Sequence, residues 1–210
     1  MLAYDDRGGE LVRPVPGLRE RNKARTRAEI KARALELISE NGYAATTVEM
    51  IAKAADVSPS TFFRYFQTKE DAVLADDYDA IMVEAYRRQP ADLSPLAAFR
   101  ATLAEIFDGL PPGEREQEDR RIRIVLGVPE LRDRMLGALA DNVTLLALMV
   151  AERSGLPPED RRVQHYAGAI VGVSITAMFR AAADPDLDPL VAVDEALTDL
   201  AAGLPLTAVQ

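Results

Sequence analysis

The sequence predicts an all-α protein, with a small three-helix unit near the N-terminus and a larger helical unit after it. Three observations predict this. Apolar residues recur at helical spacing along most of the 210 residues, while Val/Ile/Thr runs of period two are scarce. Capping residues and Pro or Gly breaks stand where one apolar stripe ends and the next begins. Hydrophobic residues make up 48% of the chain, enough to build a packed core at this length.

Residues 1–17 carry Gly, Pro and mixed charge, and are expected to form a disordered tail. The first unit is expected over 18–67 and the second over 68–205. The first helix should run from Arg19 or Arg21 to Asn41. Ile30, Ala34, Leu37 and Ile38 make its apolar stripe, and Gly42 sits where a left-handed C-terminal cap is wanted. A second helix begins at Thr46 or Thr47, with Thr46 and Glu49 forming a capping box. Val48, Ile51, Ala52 and Ala55 are its buried stripe. Ser58 is a good N-cap and Pro59 suits the first helical position, so a third helix runs from there to about Phe66. Thr68 with Asp71 can cap a fourth, which should reach Arg87 or Arg88 before Pro90. Further helices are expected at about 95–109, 114–127, 129–154, 159–183 and 189–203, between Pro-containing breaks.

Composition narrows the chemistry. There is no Cys, so disulfides, thiol catalysis and cysteine–zinc sites are excluded. No phosphate loop, G-x-S-x-G or H-E-x-x-H occurs, and acidic pairs such as Glu118-Asp119 read as loop charges. No enzyme, cofactor or metal site is expected. The N-terminus lacks a signal-peptide core. The most lipid-like run, Tyr166 to Phe179, has 14 residues where a membrane span needs about 20. A cytoplasmic protein with no membrane partner is expected.

Net charge is −9, but unevenly spread. Residues 1–70 hold 12 Lys/Arg and 10 Asp/Glu, whereas 71–210 hold 13 and 24. Seven basic and two acidic residues fall between Arg19 and Arg33. A basic patch on an acidic chain is the footprint of a DNA binder, and equally of a solvated helix face.

The stretch SPSTFFRYF decides between them. On a helical wheel Phe62 and Phe66 lie together, facing Val48, Ile51, Ala52 and Val57. Arg64 and Ser60 point the opposite way with Thr61 nearby, and Phe63 and Tyr65 flank the edges. Two short helices joined by a tight turn make a helix-turn-helix. Arg64 can make bidentate bonds to guanine, Ser60 and Thr61 can reach base edges or phosphate, and Tyr65 and Lys69 can hold phosphate from the rim.

The stretch GYAATTVEMIAKAADVSPSTFFRYFQTKED resembles the DNA-binding motif of the TetR family of bacterial transcriptional regulators. The match covers about residues 20–75. The general look, FFRYF included, is similar to actinobacterial members with an acyl-CoA-like ligand domain, such as the mycofactocin regulators. The resemblance implies that Thr47 bonds phosphate, that Thr61, Arg64 and Tyr65 face DNA and that Lys69 clamps phosphate; with Ser58, Ser60 and Phe63 these make the expected DNA surface. It implies a C-terminal ligand-binding and dimerisation domain, a double-stranded operator as partner, and repression relieved by a small hydrophobic or acyl-type effector. Asp56 stands where the turn often has Gly, and Asp tolerates the left-handed conformation. Phe63 stands where Tyr is common; the hydroxyl is missing, but the ring can still touch a thymine methyl.

The Tyr166–Phe179 run is apolar nearly all round and needs a partner. Gly168, Gly172, Ile175 and Phe179, with Leu190, Val193, Leu197 and Leu200 of the last helix, can form a four-helix homodimer interface; a monomer core helix is the other reading. In the family the last two helices make the dimer. The middle helices would enclose an effector pocket. Its candidates are Tyr78, Met82, Tyr86, Phe99, Leu103, Phe107, Met135, Leu139, Leu146 and Met149, each of which can equally be plain core. Asn142 can fix an effector's polar end or face solvent, and His165 can touch a ligand or simply hold a hydrogen-bond partner. The run Arg120 to Arg123 reads as a solvated face, with an anionic effector as the lesser reading.

Overall fold

A computed structural model describes residues 17–75 and 79–206. The expected tail at 1–16 and the pocket candidate Tyr78 lie outside the described residues. The fold is all-helical, as predicted. The helices are α1 (Leu18–Asn41), α2 (Val48–Ala54), α3 (Pro59–Tyr65), α4 (Lys69–Leu74), α5 (Asp79–Arg88), α6 (Pro95–Asp108), α7 (Pro112–Gly127), α8 (Pro129–Gly137), α9 (Leu139–Ser154), α10 (Arg161–Ala183) and α11 (Pro189–Ala201).

Two cores organise them. The first gathers Ile30, Ala34, Leu35 and Ile38 of α1 around Ile51, Phe62 and Phe66, with Ala72 and Val73 of α4. It also takes Val125 from α7 and Leu131 from α8. The second is built from α5, α6, α9, α10 and α11 around Tyr86, Phe99, Leu146, Val150, Ile170 and Leu197. The expected boundary at 67/68 falls at the N-cap of α4, whose apolar face joins the first core.

Local chemistry explains the boundaries. Ser58 Oγ accepts the Thr61 N–H at 3.1 Å, with Pro59 at the first helical position. Thr68 and Asp71 cap α4 reciprocally, at 2.9 and 3.2 Å. Asp56 takes a positive φ of 53°, which lets the turn into α3 close. Gly42 has φ 82° but ψ 157°, an extended arrangement open essentially to Gly alone and not the expected left-handed cap.

Three further expectations are corrected. The cap of α2 is Thr47, which accepts the Met50 N–H at 3.3 Å. Thr46 is buried instead, and its hydroxyl faces the carbonyls of Gly42 at 2.9 Å and Leu37 at 3.1 Å, tying the loop to α1. The helix expected over 129–154 is two, α8 and α9, bent by 43° around Ala138. The bend follows Gly137, a poor helix residue, and lets α8 serve the first core while α9 serves the second. Third, the fourth helix, expected to reach Arg87 or Arg88, is two: α4 ends at Leu74, where the backbone of Ala75 turns extended, and α5 starts at Asp79. At 161–183, α10 lies close to its expected span of 159–183. By length and composition its 23 residues could cross a membrane, at a mean hydropathy of 1.4 over its best window. It packs against α7, α9 and α11.

Candidate nucleic-acid interface and effector cavity

The outer face of α3 is free because its inner face is not. Phe62 and, at the C-cap, Phe66 are buried, 5.9 Å apart between ring centres. That fixes the rotation of α3. Ser60, Phe63 and Arg64 are then exposed, Phe63 by 53%, while Thr61 and Tyr65 are half-buried. Phe63 meets Phe62 edge-on at 5.6 Å, and the Arg64 guanidinium lies 5.8 Å from the Tyr65 ring centre. Ser58 is spent on capping: its hydroxyl group also sits 3.2 Å from that of Ser60 and 2.9 Å from that of Thr61. Thr47 is exposed, and its oxygen caps α2. Arg19, Arg21, Lys23 and Arg25 lie exposed on the first turns of α1.

Lys69 does not point outward as a phosphate clamp. Its ammonium donates to the carbonyls of Tyr43 at 2.7 Å and Thr46 at 2.9 Å, 4.0 Å from the Tyr43 ring centre. The Tyr43 hydroxyl donates to Glu70, and burial, reinforced by that bond, pushes it up to about 12. Lys69 therefore holds the α1–α2 loop against α4. From α8, Arg134 donates to Asp71 at 2.7 Å and to Thr68 Oγ1 at 3.2 Å, the two residues that cap α4.

A cavity of about 240 Å³ lies among α5, α6, α7, α9, α10 and α11. Of the pocket candidates, Met82, Phe99, Leu103, Phe107, Asn142, Leu146 and Met149 line it. Other candidates do not. Met135 packs against the first core, where the bend at Ala138 turns it. Leu139 opens α9 outside the lining, and His165 is exposed near the start of α10. Tyr86 is core, its hydroxyl donating to the Pro95 carbonyl at 3.3 Å. Ile175, Leu190 and Val193, anticipated at a dimer interface, line the cavity instead, and Leu197 is wholly buried in the second core. Gly168, Gly172, Phe179 and Leu200 keep some exposure, and a Cβ added at Gly168 or Gly172 would meet nothing within 4 Å.

The cavity contains an ion pair that the residue pattern did not reveal. Glu118 and Arg121 lie one turn apart on α7, not in a loop, with side chains only 10% and 14% exposed. Arg121 donates Nε–H to both carboxylate oxygens at 3.0 Å and Nη2–H to one at 2.6 Å. Removing one member of so enclosed a pair costs about 3–5 kcal/mol, because the other charge is left stranded. Ser174 Oγ is also buried at the cavity and has no partner among the described residues. Beyond Arg121, the basic run divides: Arg120 is exposed, while Arg123 donates to the carbonyls of Ala181, Asp184, Pro185 and Leu187 and so pins the α10–α11 loop. Because α7 lines the cavity through Ile122 and enters the first core through Val125, one rigid helix touches both.

Comparison with known proteins agrees with this geometry. Residues 30–75 match the bacterial regulatory proteins of the tetR family, and residues 93–205 match the MftR C-terminal domain. The HTH-type transcriptional regulator TcmR of Streptomyces glaucescens is 35% identical over 196 residues, covering 88% of this chain and 87% of that protein. The Mycobacterium tuberculosis protein MftR, named for mycofactocin biosynthesis, is 28% identical over 192 residues, covering 88% and 93%. Among solved structures, Thermus thermophilus FadR, a repressor crystallised with lauroyl-CoA, shares the fold at a TM-score of 0.55. The two are 24% identical, over 87% of this chain and 97% of that one. The chain thus belongs to the TetR family of bacterial transcriptional regulators, with a C-terminal domain of the MftR type.

Proposed function

We propose that the protein is a cytoplasmic, homodimeric repressor that binds a palindromic operator and releases it when a small hydrophobic effector occupies the cavity. The observation that carries this is α7, which lines the cavity and contributes to the core under the helix-turn-helix. An effector that favours one placement of α7 over another shifts α1 and α4, and with them α3. Ser60, Phe63, Arg64 and the hydroxyl of Thr61 read or hold DNA. Thr47, Tyr65 and the exposed cations of α1 supply phosphate contacts, and Lys69 and Ser58 support the unit from within. The dimer forms through the outer face of α10, where Ala169, Gly172 and Thr176 make an exposed stripe of small side chains, with Phe179 and Leu200 beside it. The related FadR was crystallised with lauroyl-CoA, and an apolar chain fits the Met, Leu and Phe lining here. The test is operator affinity with and without a cavity ligand. A ligand that binds in the cavity should weaken operator binding at least fivefold; tight binding that leaves operator affinity unchanged would refute the mechanism.

A further inference from the structure

We propose that the effector is electrically neutral, a small and mostly apolar molecule carrying one hydroxyl or carbonyl that hydrogen-bonds to Ser174. This rests on the reading of the cavity as the effector site. Three features point to it. Among the described residues the cavity's two charged groups face each other: the Arg121 guanidinium makes three hydrogen bonds to Glu118 in an enclosed setting. A ligand carboxylate that drew Arg121 away would strand Glu118, and a ligand ammonium that drew Glu118 away would break the same three bonds. Ser174 Oγ, in contrast, is buried without a partner among the described residues, and a buried hydroxyl gains by pairing with any neutral polar group that reaches it.

The third feature is the next hollow. Leu103, Phe107 and Leu190 line both the cavity and a second recess between α6 and α11. Its ionic residues are Arg100 and Arg115 against Asp108, Asp194 and Glu195, a net negative set. Both arginines are already paired, Arg100 with Asp194 at 2.8 Å and Arg115 with Asp188 at 2.8 Å. A polyanionic headgroup trailing from the cavity on that side would meet carboxylates, not open guanidinium groups. The cavity volume of about 240 Å³ suits a compact ligand body.

The experiment uses the full chain and five probes: naphthalene, 2-naphthol, 2-naphthoate, 2-naphthylmethylammonium and lauroyl-CoA, titrated calorimetrically at fixed pH 7 without DNA. The expected order places 2-naphthol first, naphthalene next and the charged probes at least tenfold weaker. Ser174→Ala should reduce 2-naphthol affinity about fivefold and change naphthalene less than twofold. The proposal is overturned if 2-naphthoate, the ammonium or lauroyl-CoA binds wild type as tightly as 2-naphthol, if no probe binds, or if Ser174→Ala affects naphthalene and 2-naphthol alike. Failure of the regulatory reading looks different: 2-naphthol would bind through Ser174 and leave operator affinity unchanged.

Discussion

Arg64 is exposed because Phe62 and Phe66 are anchored on the other side of a two-turn helix. A residue so placed can discriminate bases, since a guanidinium fork matches the O6/N7 edge of guanine. Arg64→Ala should remove about 1–3 kcal/mol of preference at one base pair of each half-site, measured by binding to an operator and its single-base variants. A uniform loss across all sequences would make Arg64 a phosphate contact. At this scale the wheel of α3 was legible because its period and its caps agree. Three assignments were not. Thr46 and Thr47 are adjacent and chemically identical, so only the loop path decides which one caps α2. Lys69 reads as an exposed cation until its two carbonyl partners, more than twenty residues earlier in sequence, are brought beside it. Glu118 and Arg121 read as surface charge because one acidic and one basic residue at i, i+3 look the same on a solvated helix as in a cavity.

Elements couple through α7 and α8. Leu35 is buried on a face of α1 that its own stripe does not predict, in the core that Val125 of α7 shares. The bend at Ala138 places Arg134 against the N-cap of α4, a connection between distant segments that periodicity cannot report. Arg134→Ala should leave the chain folded, since the pair is half exposed and worth little to stability. It should, however, cut the effector's effect on operator affinity at least threefold, read as the ratio of operator Kd with and without effector. An unchanged ratio would take the signal off α8. On α10 the space around Gly172 is open within one chain. Gly172→Leu should be tolerated within one chain and should convert the dimer to a monomer in sedimentation velocity, because a closely packed second helix has no room for the added side chain. A dimer that survives it lies on another face. The small-residue stripe of α10 was legible in the sequence. Which face of α11 turns inward was not: Leu190, Val193 and Leu197 meet the cavity and core, and apolar residues look alike at an interface and in an interior.

For the whole molecule, two cores joined through α7 and α8 make a reader of DNA that can also sense a ligand. The charge asymmetry visible along the chain persists in space, with Arg19, Arg21, Lys23 and Arg25 exposed on the first turns of α1 while the later two thirds of the chain are strongly acidic. Fold class, helix order and the DNA-facing helix follow from local periods and caps. The cavity follows only in part, because it depends on how six helices from distant segments meet. The central claim is that α3 reads a symmetric DNA site on behalf of a dimer. The most direct test is selection of binding sites by the full-length protein from a random duplex pool at about physiological salt. Recovery of a single palindrome, with half-sites one helical turn or a multiple of it apart, is the predicted result. Recovery of no enriched sequence by folded, dimeric protein would contradict it and leave the helix-turn-helix as architecture alone.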